Sequence, residues 1–174
     1  IPRRFADRSF DNFRADSAEQ MHALTVARDY AESFDPRKGT GLIFSGSPGP
    51  GKSHLAAAIL RAVIGRDVLY VTCLDMIRTV RETWPRDSER SEMSVLRSFA
   101  GLDLLVIDEI GVQYGTDGEQ TVIFDVLDRR YRDVRPTILL TNQDKEGLKG
   151  YIGERSFDRL VETSRWVAFD WPSH

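Results

Sequence analysis

A chain of 174 residues that is 41% hydrophobic and 29% charged has the size and balance of one soluble globular domain with a core of its own. Its net charge of −3 gives no whole-molecule attraction to nucleic acid, so contact with DNA or RNA needs a local basic patch. No apolar run is long enough to cross a bilayer, the opening Ile-Pro-Arg-Arg lacks a signal peptide's apolar stretch, and the lone Cys73 has no disulfide partner, so a cytoplasmic protein without a membrane partner is expected.

In chain order, residues 1–16 read as a short lead-in. Residues 17–34 then carry Met21, Leu24, Ala27, Ala31 and Phe34 at helical steps, opened by a Ser17/Gln20 capping box. Turn residues at 35–39 end that helix, and the apolar run 42–44 predicts a strand. A glycine-rich turn leads into a helix over 52–64, followed by a strand at 68–71 and a helix over 74–84 that Pro85 stops. Residues 86–92 are polar and predict a loop, and 94–100 a short helix. Residues 102–107 are almost wholly apolar, as strands buried on both faces are. A helix over 119–133, a strand at 137–140, a helix over 152–160 and a strand at 166–169 complete the chain. Strands alternating with helices predict an α/β fold, a five-stranded mainly parallel sheet between helical layers, in one domain spanning residues 1–174.

Gly46, Ser47, Pro48, Gly49, Pro50, Gly51, Lys52 and Ser53 match the P-loop pattern, in its required place between a buried strand and a helix. Glycines let backbone N–H groups face phosphate oxygens, and the helix N-terminus adds positive potential. Lys52 is expected to bridge the β- and γ-phosphates of ATP, and Ser53 to ligate Mg²⁺. His54, next in line, is expected beside the phosphates of ATP or ADP as a spectator. Asp108 and Glu109 end the buried strand at 102–107, where a carboxylate lies beside the P-loop in this fold class. Asp108 would hold the magnesium, through water, and Glu109 would act as general base on the attacking water. Asn142, at the end of the next strand, reads either as a turn residue or as an amide holding that water from the other side.

Together these motifs resemble the AAA+ ATPases of the bacterial helicase-loader group, the DnaC-like proteins, and the related IstB-like transposition helpers. The likeness runs from about Phe10 to Trp171. It is narrowest at Asp108-Glu109-Ile110-Gly111, at Gly153-Glu154-Arg155 with Asp158-Arg159, and at the Trp-Val-Ala-Phe-Asp-Trp stretch ending in Trp171. The resemblance implies that Asn142 is the sensor of the γ-phosphate and that Arg159, with Arg155 as its rival, is an arginine finger serving a neighbouring subunit's ATP. Read from the residues alone, the two arginines are the exposed face of an amphipathic helix. Phe10 and Phe13 match the segment that walls the adenine pocket, with ordinary packing the other reading, and Cys73 reads as a small buried hydrophobe.

The same resemblance implies self-assembly through ATP interfaces, contact with single-stranded DNA, and a hexameric replicative helicase as partner. The group's N-terminal helicase-binding segment is expected to lie outside this sequence. A second-sensor arginine follows the position of Trp171-Pro172-Ser173 in the group, and the sequence ends at His174, so weak hydrolysis by this domain alone is expected. The helix over 74–84 takes the place of the pore-lining DNA helix, with Arg78 and Arg81 as phosphate contacts and Trp84 as a stacking residue. Trp84 follows Ile77 by seven residues and shares its apolar face, so a core position is equally open. Other functions consistent with the P-loop are a transposition helper, a small P-loop kinase and a slow nucleotide switch.

Overall fold

The computed structural model describes residues 1–85, 87–112 and 116–172, so Arg86 of the expected loop and Ser173 and His174 beyond Trp171 lie outside the described residues. Five strands, β1 (Gly41–Gly46), β2 (Val68–Thr72), β3 (Leu104–Ile110), β4 (Thr137–Thr141) and β5 (Ser164–Phe169), form one sheet in the order β2-β3-β4-β1-β5. Every pairing is parallel. Parallel neighbours need long crossovers. These are supplied by α2 (Lys52–Ala62), α3 (Cys73–Arg81), α4 (Glu92–Gly101), α5 (Asp117–Arg132), α6 (Lys145–Ile152) and α7 (Glu154–Thr163), while α1 (Ala18–Glu32) precedes the first strand. Among the described residues, no helix is long and apolar enough to cross a membrane.

The alternation of side chains along β3 explains its unbroken apolar run. Leu104 and Val106 pack under α1 and α2, whereas Leu105 and Ile107 join the core beneath α3, α4 and α5. Both faces are therefore dry, and α/β layering follows. At the start of β4 the layer of α4 and α5 is pinned to the sheet by Arg130, only 1% exposed. Its guanidinium donates to Thr137 Oγ1 at 2.9 Å, to the carbonyls of Phe99, Ala100 and Leu102 at 2.9, 3.1 and 3.0 Å, and to Pro136 O. Burial and the neighbouring Arg135 pull its pKa down to about 10, so it stays charged at neutral pH.

Several boundaries differ from the sequence expectation. The Ser17/Gln20 capping box opens α1 as expected, but the buried face is Ala23, Leu24, Val26, Ala27 and Tyr30. Met21 is half-exposed, because the inward position of that turn is taken by Gln20, whose amide oxygen accepts from the Ser17 and Asp16 N–H groups. Helix α3 stops at Arg81, and Thr83 and Trp84 follow as turns bonded back to Val80 and Arg81. The helix expected over 152–160 is α7, and a helix the sequence reading did not expect, α6, precedes it; the two are separated by Gly153, whose φ of +86° neither helix can contain. Helix α6 begins where Asp144 accepts from Gly147 N–H at 2.8 Å, an N-cap readable in the sequence. Strand β3 runs past Ile107 to Ile110, with its register against β4 slipping between those two residues. That slip takes Asp108 and Glu109 off the ladder with β4, while Asp108 stays in register with Thr72 of β2.

Candidate nucleotide site

The turn from β1 into α2 has the geometry of a phosphate cradle. Gly46 (φ +145°) lies so close to the Phe169 carbonyl of β5 that a Cβ would collide with backbone. A Cβ on Gly51 (φ +107°) would stand 2.6 Å from the Phe13 ring. Glycine is the residue that meets both demands at once. On the far side, the Trp171 indole N–H donates to the Pro50 carbonyl at 3.0 Å, so the chain end braces the loop. Pro50 is buried and turned to Trp171, while Pro48, Gly49, Gly51, Lys52, Ser53 and His54 line a cleft of about 410 Å³.

Lys52 is 7% exposed, and its ammonium donates to the Gly46 carbonyl at 2.6 Å, the Ser47 carbonyl at 2.7 Å and Asn142 Oδ1 at 2.9 Å. Burial lowers its pKa and the nearby Asp108 opposes that shift. All three partners are neutral, so an arriving phosphate oxygen offers this cation a stronger, charge-assisted bond. The Ser53 hydroxyl donates to Asp108 Oδ2 at 3.1 Å, and Glu109 N–H donates to Asp108 Oδ1 at 2.7 Å. The Tyr70 hydroxyl donates to the same Oδ2. Glu109 is exposed in the cleft with φ +57°, a left-handed conformation that a glutamate adopts only when its surroundings impose it. Asp108, Glu109 and Asn142 thus meet the P-loop at the C-terminal ends of β3 and β4.

The short lead-in, in which only Phe10 and Phe13 were singled out from sequence, borders the cleft. Arg4, Phe5 and Arg8 line it. His54 Nε2 bonds the Ser9 carbonyl at 2.8 Å, with its ring edge-on to Phe13 at 5.2 Å, and burial lowers its pKa. Phe5, Phe10 and Phe13 all pack against the core beneath α1 and α2; Phe13 also abuts Gly51 and His54, and Phe5 lines the cleft. Tyr70 and Phe5 escaped sequence reasoning. The one usable signal was a phenol inside the aliphatic strand Val68-Leu69-Tyr70-Val71, since a buried hydroxyl needs a partner.

Comparison with known proteins agrees with this geometry. Residues 5–167 match the family of IstB-like ATP binding proteins. The chain belongs to that family. The replicative helicase loader DnaC of Escherichia coli strain K12 is 43% identical over 169 residues, covering 95% of this chain and 68% of the relative. The uncharacterised protein YdaV of the same strain is 38% identical over 168 residues, covering 95% and 66%. Among solved structures, a DnaC helicase loader superimposes with a TM-score of 0.87 at 25% identity, covering 96% of this chain and 99% of that one. The initiator DnaA, solved with AMPPCP and single-stranded DNA, shares the fold with a TM-score of 0.81 at 19% identity, over 96% of this chain and 51% of DnaA. The fold is therefore that of the AAA+ P-loop domains.

In this IstB-like chain neither candidate finger lines its own phosphate cleft. Arg159 lines a second cleft of about 330 Å³, beside Thr137 and Ser164, the first residues of β4 and β5. Its guanidinium is ion-paired with Asp128 of α5 and lies 5.0 Å from the Tyr131 ring centre. Arg155, one turn earlier, is exposed and stands 5.4 Å over the Phe124 ring. Trp84 is 54% exposed, which overturns its core alternative: the shortened α3 ends before it can share the face of Ile77. Arg81 stacks on Trp84 at 5.7 Å and faces Glu119 at 3.9 Å, while Arg78 is exposed with Asp75 at 3.9 Å. Cys73 is fully buried and its thiol is pushed up to about 12.

Proposed function

We propose that this domain is the ATP-hydrolysing core of a cytoplasmic replicative helicase loader. The observation that carries the reading is the convergence of Lys52 on Asn142 and of Ser53 on Asp108, in a chain 43% identical to the DnaC loader. The residues suit Mg-ATP. A hydroxyl and a carboxylate are the hard oxygen donors Mg²⁺ prefers, used with substrate phosphates rather than a closed protein cage. Bound magnesium would supply charge stabilisation to the phosphoryl group. Lys52 would exchange its neutral partners for phosphate oxygens, while Asn142, released from Lys52, would read the γ-phosphate. Glu109, held in its left-handed conformation near the end of β3, would take the proton of the attacking water.

Arg159 cannot serve its own chain from the opposite end of the sheet, which supports a role across a subunit interface after release from Asp128. Its guanidinium would there neutralise charge on the neighbour's transferred phosphoryl group. The exposed Trp84 with Arg78 and Arg81 forms the surface proposed to meet single-stranded DNA. The family match to IstB-like proteins supports a transposition helper as the second reading, with the same catalytic residues and a transposase as partner.

The test combines hydrolysis with partner capture in the intact protein. Arg159→Ala and Lys52→Ala proteins should each be nearly inactive alone, and their mixture should regain ATP turnover at interfaces where an intact P-loop meets an intact finger. Arginine fingers supply about 10³–10⁵ in rate in other P-loop enzymes. An inert mixture of folded, co-assembling variants would remove Arg159 from the mechanism. ATP-dependent delivery of a hexameric helicase to single-stranded DNA is expected; recruitment of a transposase instead would select the second reading.

A further inference from the structure

Strands β2 and β3 run side by side, with Tyr70 opposite Val106 and Thr72 opposite Asp108. Leu104, Val106 and Asp108 alternate onto the sheet face covered by α2, and Tyr70 packs in the same cluster. From one strand over, its phenol therefore reaches two residues along to the Asp108 carboxylate. The side chain is 7% exposed, and its ring lies 5.9 Å from that of Phe5, which lines the nucleotide cleft. Asp108 Oδ2 takes the hydroxyls of both Tyr70 and Ser53, and Oδ1 takes the Glu109 N–H.

We propose that Tyr70 is a positioning residue of the magnesium site: its buried hydroxyl holds the Asp108 carboxylate in the orientation that receives the metal's water shell. The proposal rests on the Mg-ATP reading above. Of the three donors on Asp108 among the described residues, one belongs to Ser53, whose oxygen is itself a proposed metal ligand, and one to Glu109, whose side chain is the proposed base. Tyr70 is the donor with neither duty, so it anchors the carboxylate in every state of the cycle. Hydrogen-bond partners behind metal ligands typically carry about 10–100-fold of metal affinity. The P-loop motif and the Asp-Glu pair do not contain this residue. Only the register of β2 against β3 brings it to the site.

The test is a Mg²⁺ titration of nucleotide binding by the intact protein, with ADP as probe. In Tyr70→Phe, which removes one oxygen and keeps the ring, ADP affinity without Mg²⁺ should equal that of the wild type. Mg²⁺ affinity of the ADP complex should fall about tenfold, at the low end of that range. In an Asp108→Asn background the same substitution should have no further effect, since the carboxylate it acts through is gone. Unchanged Mg²⁺ affinity in folded Tyr70→Phe would overturn the proposal, as would an equal loss of metal-free ADP affinity, which marks a packing role. If ADP binding by the wild type gains nothing from Mg²⁺, the magnesium reading itself falls. A wild-type gain that Tyr70→Phe fully retains removes Tyr70 alone.

Discussion

Lys52 and Arg130 sit at opposite ends of the same five strands, each nearly closed to water, and each donates to a set of backbone carbonyls and one side chain. Arg130 spreads a rigid fork over partners from α4, from the turn before β4 and from β4 itself, so moving it would strand acceptors in three places. Lys52 places a compact charge on two carbonyls of its own glycine-rich turn and on Asn142, whose residue is exposed. The difference follows from the two head groups: a planar guanidinium is suited to fixed, multi-point bonding, and an ammonium to being retargeted as a point charge. Buried charge at the start of the strands holds layers together. At their C-terminal ends it is poised to change partners.

The comparison breaks most readily at Arg130. Arg130→Met should leave several buried carbonyls unpaired and destabilise the fold by about 3 kcal/mol or more. In a domain of this size that lowers the melting temperature by about 6–12 °C, read by thermal denaturation, with nucleotide affinity of the folded fraction retained. Lys52→Ala should do the reverse: ATP binding largely lost in a titration, and stability within about 1 kcal/mol of the wild type. A melting loss like that of Arg130→Met would show that Lys52 is also a structural clamp. The smallest stability effect is expected at Trp84, where Trp84→Ala should change it by no more than about 0.5 kcal/mol. A core tryptophan would cost about 3–5 kcal/mol. The same variant should bind single-stranded DNA more weakly, by about 1–3 kcal/mol per stacked base, if its exposed ring meets DNA.

The two cations also differ in how far they could be read from the chain. Lys52 stands in a contiguous stretch whose spacing encodes its own backbone conformation, so the strand, turn and helix around it were legible together. Asp108 and Glu109 were legible for a related reason, since an unbroken apolar run that ends in two acids marks the edge of a doubly buried strand. Arg130 sits among Asp128, Arg129, Tyr131 and Arg132 in a helix with basic residues throughout its last turn, and nothing local separates it from its solvated neighbours. Trp84 was ambiguous because helical periodicity placed it on an apolar face, and the early end of α3 turned it out to solvent.

By itself, then, the sequence determined the α/β alternation, the phosphate-binding turn and the acid pair, because each is written in residues close along the chain. The tertiary structure alone decided that Tyr70 meets Asp108, that Phe5 and the arginines beside it line the nucleotide cleft, that Arg159 faces away from its own P-loop against Asp128, and that Arg130 pins the strand starts. Those contacts join residues from different elements, and they depend on strand order, register and the length of individual helices. Apolar periodicity selects which face of an element is buried, but the partner lying across that face is set only when the whole sheet has closed.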